Sequence, residues 1–324
     1  MIREERISVV MCTYNSAQYL QEQLESIASQ TRPPYELVVC DDQSDDKTTE
    51  IVKAFAISVP FQLDLIINEK RLGSTKNFEK AIQLCGGDII VLSDQDDVWH
   101  PQKLERMGKV FANTPSIGAV FTDAEMVDEY LRPLGYRLWQ SAGFTKIEQR
   151  LFTRGRAVDV LLRHNVVTGA TMGFRAKFKE LVLPIPDIWV HDGWIALLIA
   201  ATADLGMIDE PLVKYRQHSK QQIGAVMKGF SQRLAEAKQV DSNVYITGFK
   251  KYMVAQKRLL TSSNATYKER VMSQIEGKMH HMLARANMSK KTLWRLPSIF
   301  SELLALRYHR YSNGWESAAK DLFL

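Results

Sequence analysis

From residue 7 to residue 216 the chain keeps repeating one pattern. A short and almost wholly apolar run is followed by a polar break, and then by a stretch whose apolar positions recur every three to four residues. The apolar runs at residues 7–12, 35–40, 61–67 and 87–93 read as buried strands, with a further strand at 117–122. Between them lie helical stripes. Tyr19, Leu20, Gln23, Leu24, Ile27 and Ala28 form the first, and 47–55 and 75–84 carry the next two. Gly86-Gly87 closes the helix over 75–84, and Pro101 suits the first turn of a helix running to 112. Strand and helix in regular alternation predict an α/β fold built on a parallel sheet.

Beyond Asp123 the regularity fades. Residues 128–156 mix Pro133, Gly135, Trp139, Gly143 and Gly155 with aromatics and read as loops walling a pocket. A helix over 157–164, a strand over 166–174 with close backbone approach at its glycines, a helix over 195–203 and a strand over 205–216 follow. From Met227 onward the pattern is helical with basic faces, including Lys250-Lys251 and Lys290-Lys291. Trp294, Leu296, Ile299, Phe300, Leu303 and Leu304 form an apolar stripe near the end. The expected division is residues 1–226 as the α/β domain and 227–324 as a basic helical extension.

Composition supports a folded chain rather than a disordered one: 45% hydrophobic, 24% charged and free of low-complexity tracts. The net charge of +5 is unevenly spread. Residues 228–324 hold 17 Lys+Arg and 7 Asp+Glu, a balance of +10, and leave −5 to the rest of the chain. Cys12, Cys40 and Cys85 fall in or beside core elements and read as buried small hydrophobes in a reducing compartment. The first residues lack the apolar stretch of a signal peptide, and the apolar run from Trp194 to Ala203 is too short to span a bilayer. These features point to a cytoplasmic protein, soluble or peripheral on the inner face of the cell membrane.

Each strand ends in polar side chains: Thr13-Tyr14-Asn15, Asp41-Asp42, Asn68 and Asp94-Gln95-Asp96-Asp97. Packing does not require that, whereas open α/β sheets bind ligands at this edge. The last group is the densest. Three carboxylates in four positions repel one another unless a cation sits between them, and oxygen ligands suit a hard ion, Mg²⁺ or Mn²⁺. A solvated acidic turn before the next helix is the plainer reading of those four residues alone.

Five segments taken together resemble the inverting family-2 glycosyltransferases of GT-A fold. They are residues 9–15, residues 41–48, Asn77, residues 94–99 and His191-Asp192-Gly193-Trp194, in matching order and spacing over about residues 5–224. Asp97-Val98-Trp99 and Tyr215-Arg216-Gln217-His218 are most similar to the bacterial rhamnosyltransferase-like branch, which builds cell-surface polysaccharides. The resemblance implies a GT-A architecture, a Rossmann-like mixed sheet flanked by helices that binds a nucleotide sugar. It implies transfer of rhamnose or another hexose from a dTDP- or UDP-sugar to a saccharide acceptor, free or lipid-linked. Asp192 would be the general base. Asp96 and His218 would hold Mg²⁺ or Mn²⁺, with Asp94 on the ribose or the metal's water shell. Asp42 would accept from the base imide. Thr13, Asn15 and Gln95 would line the nucleotide, Tyr14 would stack or pack, and Arg71, Lys76 and Arg216 would meet phosphate or sugar. Gly193 and Ser219-Lys220-Gln221 depart from the family pattern.

Rival chemistries fit less well. A phosphohydrolase of this topology needs a nucleophilic Asp after the first strand, and Cys12-Thr13-Tyr14-Asn15 supplies none. A nucleotidyltransferase needs a Gly-rich basic loop there, also missing. A catalytically silent nucleotide-sugar-binding subunit stays open. The basic extension has three readings: contact with an anionic membrane, a homodimer interface, or a solvated helical cap. No nucleic-acid-binding module is recognisable.

Overall fold

The computed structural model describes residues 4–219, 242–262, 269–289 and 291–323. The expected division at 226/227, the helical start at Met227, Lys220, Gln221 and Lys290 lie outside those residues. Four parallel strands form the first half: β1 (Ile7–Thr13), β2 (Glu36–Asp41), β3 (Gln62–Ile67) and β4 (Ile89–Ser93). They alternate with α1 (Leu20–Ala28), α2 (Thr48–Ala56) and α3 (Ser74–Leu84), and α4 (Lys103–Asn113) follows the short β5 (Val98–Trp99). β1, β2 and β4 are buried along nearly their whole length, which is why their sequences are apolar without alternation.

The second half changes the sheet from parallel to mixed. β6 (Ile117–Val127), β8 (Met172–Arg175) and β9 (Asp204–Arg216) join it, and the strand order is β3-β2-β1-β4-β8-β6-β9-β5. β8 runs antiparallel to both β4 and β6, because the chain enters it from the edge where β4 and β6 end and can only run back. Strand–helix alternation accounts for the parallel half, and the mixed sheet agrees with what the family resemblance implies. The expected strand over 166–174 shrinks to β8, since Gly169–Thr171 forms a turn of 3₁₀ helix. Residues 128–156 are also more regular than loops. They hold β7 (Pro133–Arg137), paired with β6, then α5 (Leu138–Ser141) and α6 (Lys146–Thr153). The short α7 (Ala157–Leu161) and α8 (Lys179–Val182) precede α9 (His191–Thr202), which is buried nearly all round.

Glu148 shows how this half is held. It completes a capping box with Thr145 at the start of α6, and its carboxylate also accepts from Arg163 Nη1 at 3.1 Å and His164 Nε2 at 2.9 Å. Burial pushes its carboxyl up, but hydrogen bonds from His164 and Thr145 outweigh that and hold it down at about 2. A carboxylate depressed on folding stabilises above its ordinary range, and that stability is lost as pH falls through the folded value. Glu148→Gln is therefore expected to cost ~3 kcal/mol at pH 7. Urea midpoints of the two proteins should converge as pH drops from 4.5 towards 2.

The extension packs onto the domain. α10 (Ser242–Thr261) and α11 (Glu269–Ala286) place Ala255, Leu259, Val271 and Ile275 in the same core cluster as Trp194 and Ile195 of α9. Arg258 Nη1 donates to the carbonyls of Leu181 and Leu183, and Trp189 Nε1 to that of Lys251. Three more helices follow: α12 (Thr292–Leu304), α13 (Arg307–Tyr311) and α14 (Trp315–Phe323). Buried His281 joins them, with Nδ1 2.7 Å from Glu302 Oε2 and Nε2 2.9 Å from Ser312 Oγ. The order mimics a nucleophile triad, yet Ser312 is buried and its Oγ also receives Arg285 Nη1 at 3.0 Å, so the cluster is scaffold.

Candidate functional site

The site lies where β1, β2 and β4 end. The chain leaves β1 through Asn15 and β2 through Gln43, both with left-handed backbone (φ 48° and 63°), and these turns fold the two strand ends towards each other. Thr13 Oγ1 donates to Asp41 Oδ2 at 2.7 Å, and Asp45 N donates to Asn15 Oδ1 at 3.0 Å. Both side chains thus brace the 41–46 loop. Asp42 is buried and gathers the next loop: Asn68 Nδ2 at 3.0 Å, Leu72 N at 2.7 Å and Gly73 N at 2.9 Å. Gly73 has φ 78°, which suits glycine at the start of α3. Arg71, exposed on that loop, lies with its guanidinium 3.7 Å from the centre of the Tyr14 ring. Gln95 spans the gap between strand ends. It accepts from Tyr14 N at 2.7 Å and returns its amide to Tyr14 O at 3.3 Å.

The acidic turn after β4 is crowded with like charge. Asp94 is pushed up to about 7, first by burial, then by the nearby charges of Asp96 and Asp192, with Lys103 opposing. Half-buried Cys12 is pushed well up, first by loss of solvent around its thiol and then by Cys40, Asp94 and Asp42. Asp96 Oδ2 lies 2.8 Å from His218 Nε2. Asp97 is fully buried, accepts from Arg216 N at 3.0 Å through Oδ1 and leaves Oδ2 unpartnered. Burial and then the charges of Asp96 and Asp94 push its carboxyl well above the usual range.

Asp192 stands in the first turn of α9. Its Oδ1 accepts from Gly193 N at 2.5 Å and Asn165 Nδ2 at 3.3 Å, and its Oδ2 from Gly169 N at 3.3 Å. Gly169 must be glycine here, because a Cβ would sit 2.8 Å from His191 Nε2. That histidine is buried, stacked on Phe78 at 4.1 Å, and both its ring nitrogens lack hydrogen-bond partners. Burial pushes its pKa down, with Asp192 opposing, so the ring is neutral at pH 7.

Two expected phosphate contacts are occupied elsewhere. Arg216 is 1% exposed and donates to the carbonyls of Asp96 and Glu129, both at 2.6 Å, and to the Glu22 carboxylate. These contacts join β9 to the Asp96 turn. Lys76 Nζ is held by Ile185 O at 2.5 Å and Glu79 Oε2 at 2.9 Å, so it ties α3 to the segment before α9. Trp194 fills the core, with its Nε1 on Val182 O.

Lys103 was not among the expected residues. It is fully buried beneath the acidic turn, donates to Ala170 O at 2.7 Å and lies 3.5 Å from the centre of the Trp99 ring. Burial pushes its pKa well down, while Asp97 and Asp94 pull it up. A signal existed: Lys103, Leu104, Met107, Gly108 and Phe111 form the inward stripe of α4.

A cavity of about 610 Å³ opens two strands away, lined by Asp123, Glu125, Tyr136, Arg137, Lys146 and Asp209 among others. It lies beside β6, which is separated from β4 only by β8, and none of Asp94, Asp96 and Asp192 lines it. The stretch expected to wall a pocket does so, through β7, α5 and α6.

The residues fit a divalent cation, though not as a finished cage. Among the described residues no three His, Cys, Asp or Glu side chains are grouped to hold a metal. Asp96 paired with His218, beside an Asp94 destabilised by like charge, is a partial set that substrate oxygens would complete.

This mixed sheet, flanked by helices and carrying a helical C-terminal region, is the GT-A fold. The chain belongs to glycosyl transferase family 2, whose family model matches residues 8–182. It is similar to the dTDP-rhamnosyl transferase RfbG of Shigella flexneri, 26% identical over 227 residues, which covers 66% of this chain and 74% of that protein. Against uncharacterised mycobacterial relatives, 24% identical over 221 residues, the chain spans 59% of their length. Among solved structures it is similar to S. aureus TarS 1–349 in complex with UDP-GlcNAc (TM-score 0.61, 17% identity, 98% of this chain and 88% of that one). It is also similar to the mannosyltransferase PcManGT of Pyrobaculum calidifontis in complex with GDP-Man and Mn²⁺ (TM-score 0.53, 20% identity, 94% and 76%).

Proposed function

We propose that the protein is an inverting glycosyltransferase. It moves a sugar, rhamnose or another hexose, from a dTDP- or UDP-sugar to a saccharide acceptor in bacterial cell-surface polysaccharide synthesis. The observation that carries this reading is the link between the start of α9 and the acidic turn: Asp192 holds the Gly169 amide at 3.3 Å, and Lys103, buried beneath the turn, holds the next residue's carbonyl, Ala170 O, at 2.7 Å. Family membership and the likeness to RfbG support the choice of donor.

Asp192 takes the proton of the acceptor hydroxyl as that oxygen bonds to the anomeric carbon. The bond from that carbon to the diphosphate oxygen breaks, and the nucleoside diphosphate leaves with the electron pair. The Gly169 and Gly193 amides and Asn165 fix the carboxylate's orientation without using all of its acceptor sites. Asp96 and His218 would hold Mg²⁺ or Mn²⁺, which when bound would supply positive charge to offset that of the leaving diphosphate. Asp94 would serve the ribose or the metal's water shell. Asp42 already accepts three hydrogen bonds, which leaves room for about one more, enough for a base imide. Arg71, stacked on Tyr14, keeps the rim of its guanidinium open to phosphate.

A thermal-shift series tests the donor reading. At a hundredfold excess over Kd, dTDP or UDP with Mn²⁺ should raise Tm by about 3–5 °C. CDP, whose base lacks an imide, should give much less. Equal responses to every nucleotide, or none, would sink it.

A further inference from the structure

The outer face of α12 is apolar. Leu293, Leu296, Phe300 and Leu304 recur at spacings of three and four, so they fall on one side of the helix. That side points away from the protein: Leu293 is 77% exposed, Phe300 64% and Leu304 71%. The inward side is Ile299, buried in a small core with Tyr308 and Ala318, and Glu302, which binds His281 and Arg307. Glu302 is the acidic residue of this helix, and it is turned inward. Exposed Trp294 and Trp315 flank the stripe, the second at the head of α14, which packs on α12. Lys291 and Arg310 stand exposed before and after α12.

We infer that α12 lies flat in the headgroup region of an anionic bilayer and docks the protein there. Thirteen residues span about 20 Å as a helix, too short to cross a hydrocarbon core of about 30 Å. Among the described residues no helix is long and apolar enough to do so. A large exposed apolar face needs a cover, and charge selects which. The exposed charges before and after α12, Lys291 and Arg310, are basic and the helix turns its one acidic residue inward, so a second copy would bring like charge against like, whereas anionic lipid brings the opposite sign. Tryptophans at the rim of such a face suit the lipid–water boundary. This inference goes beyond sugar transfer and stands without it.

Co-sedimentation of the full chain with vesicles tests it. The protein should bind vesicles of 70% phosphatidylcholine and 30% phosphatidylglycerol at least tenfold more tightly than pure phosphatidylcholine. The double variant Phe300→Glu/Leu304→Glu should lose at least tenfold in binding. Brominated lipid should quench tryptophan fluorescence, and less so in Trp294→Phe. An unchanged melting curve and unchanged nucleotide binding identify the variant as folded; if it melts early, Phe300→Ser/Leu304→Ser replaces it. Wild-type protein left in the supernatant with both vesicle types overturns the inference. So does a dimer in sedimentation velocity that the Glu pair dissociates while lipid binding is absent. Failure of nucleotide binding, with vesicle binding intact, would count against the glycosyltransferase reading alone.

Discussion

Asp192→Asn is expected to lower kcat by about 10²–10⁴-fold, the usual worth of a positioned general base. The amide keeps the side chain's size and one oxygen acceptor for Gly169 N or Gly193 N, so the start of α9 should survive. Donor affinity should change little, because the base acts on the acceptor hydroxyl and not on the nucleotide. The measurement is single-turnover transfer alongside calorimetric titration with the nucleoside diphosphate. A variant that loses donor affinity by tenfold or more while transferring bound donor at the wild-type rate would move Asp192 out of the base role. Asn165→Ala makes a useful companion: with one orienting donor removed, kcat should drop by a smaller factor while KM for the donor stays put.

The second large effect is expected from Asp96→Asn, which should cut kcat/KM about 10²–10³-fold, as losing a preorganised charge partner for a leaving group does. Asn retains an oxygen towards His218, and the Asp96 backbone carbonyl still receives Arg216 Nε, so the turn between β4 and β5 should hold. The diagnostic is the Mn²⁺ titration of activity, which should flatten or shift to much higher metal. Full wild-type turnover in EDTA would remove the metal from the reaction and leave Asp96 as a partner of His218 only.

Much of this was readable from residues alone, for a physical reason. β1, β2 and β4 are buried on both faces, so their sequences are apolar runs with abrupt polar ends, and those ends mark the site. Asp94 and Asp96 could be singled out because carboxylates at a sheet edge serve no packing purpose, whereas Asp192, at a helix start where a carboxylate also caps, stood out only through the family resemblance. What could not be read was which polar groups the protein spends on itself. Nothing in the local pattern separates Arg71, exposed over Tyr14, from Arg216, consumed by Glu22, Asp96 and Glu129. That difference is fixed by contacts nearly two hundred positions apart. Antiparallel β8 was hidden similarly: a four-residue strand has too few positions to reveal direction, which the entry point of the chain decides. Lys103 was overlooked because a lysine in a first helical turn reads as solvated until its neighbours on the stripe are counted.

The helices after residue 242 share their interior with α9, the element that presents Asp192. Ala255, Leu259 and Ile275 form part of the wall against which α9 rests, and Arg258 clamps the backbone just upstream. What looks in the sequence like an accessory is therefore a buttress. Cutting it off would yield an opened protein with a loosened base, rather than a lighter transferase freed of its anchor. Surface attachment and turnover are best separated by single changes on the outermost helix face, where nothing beneath depends on them.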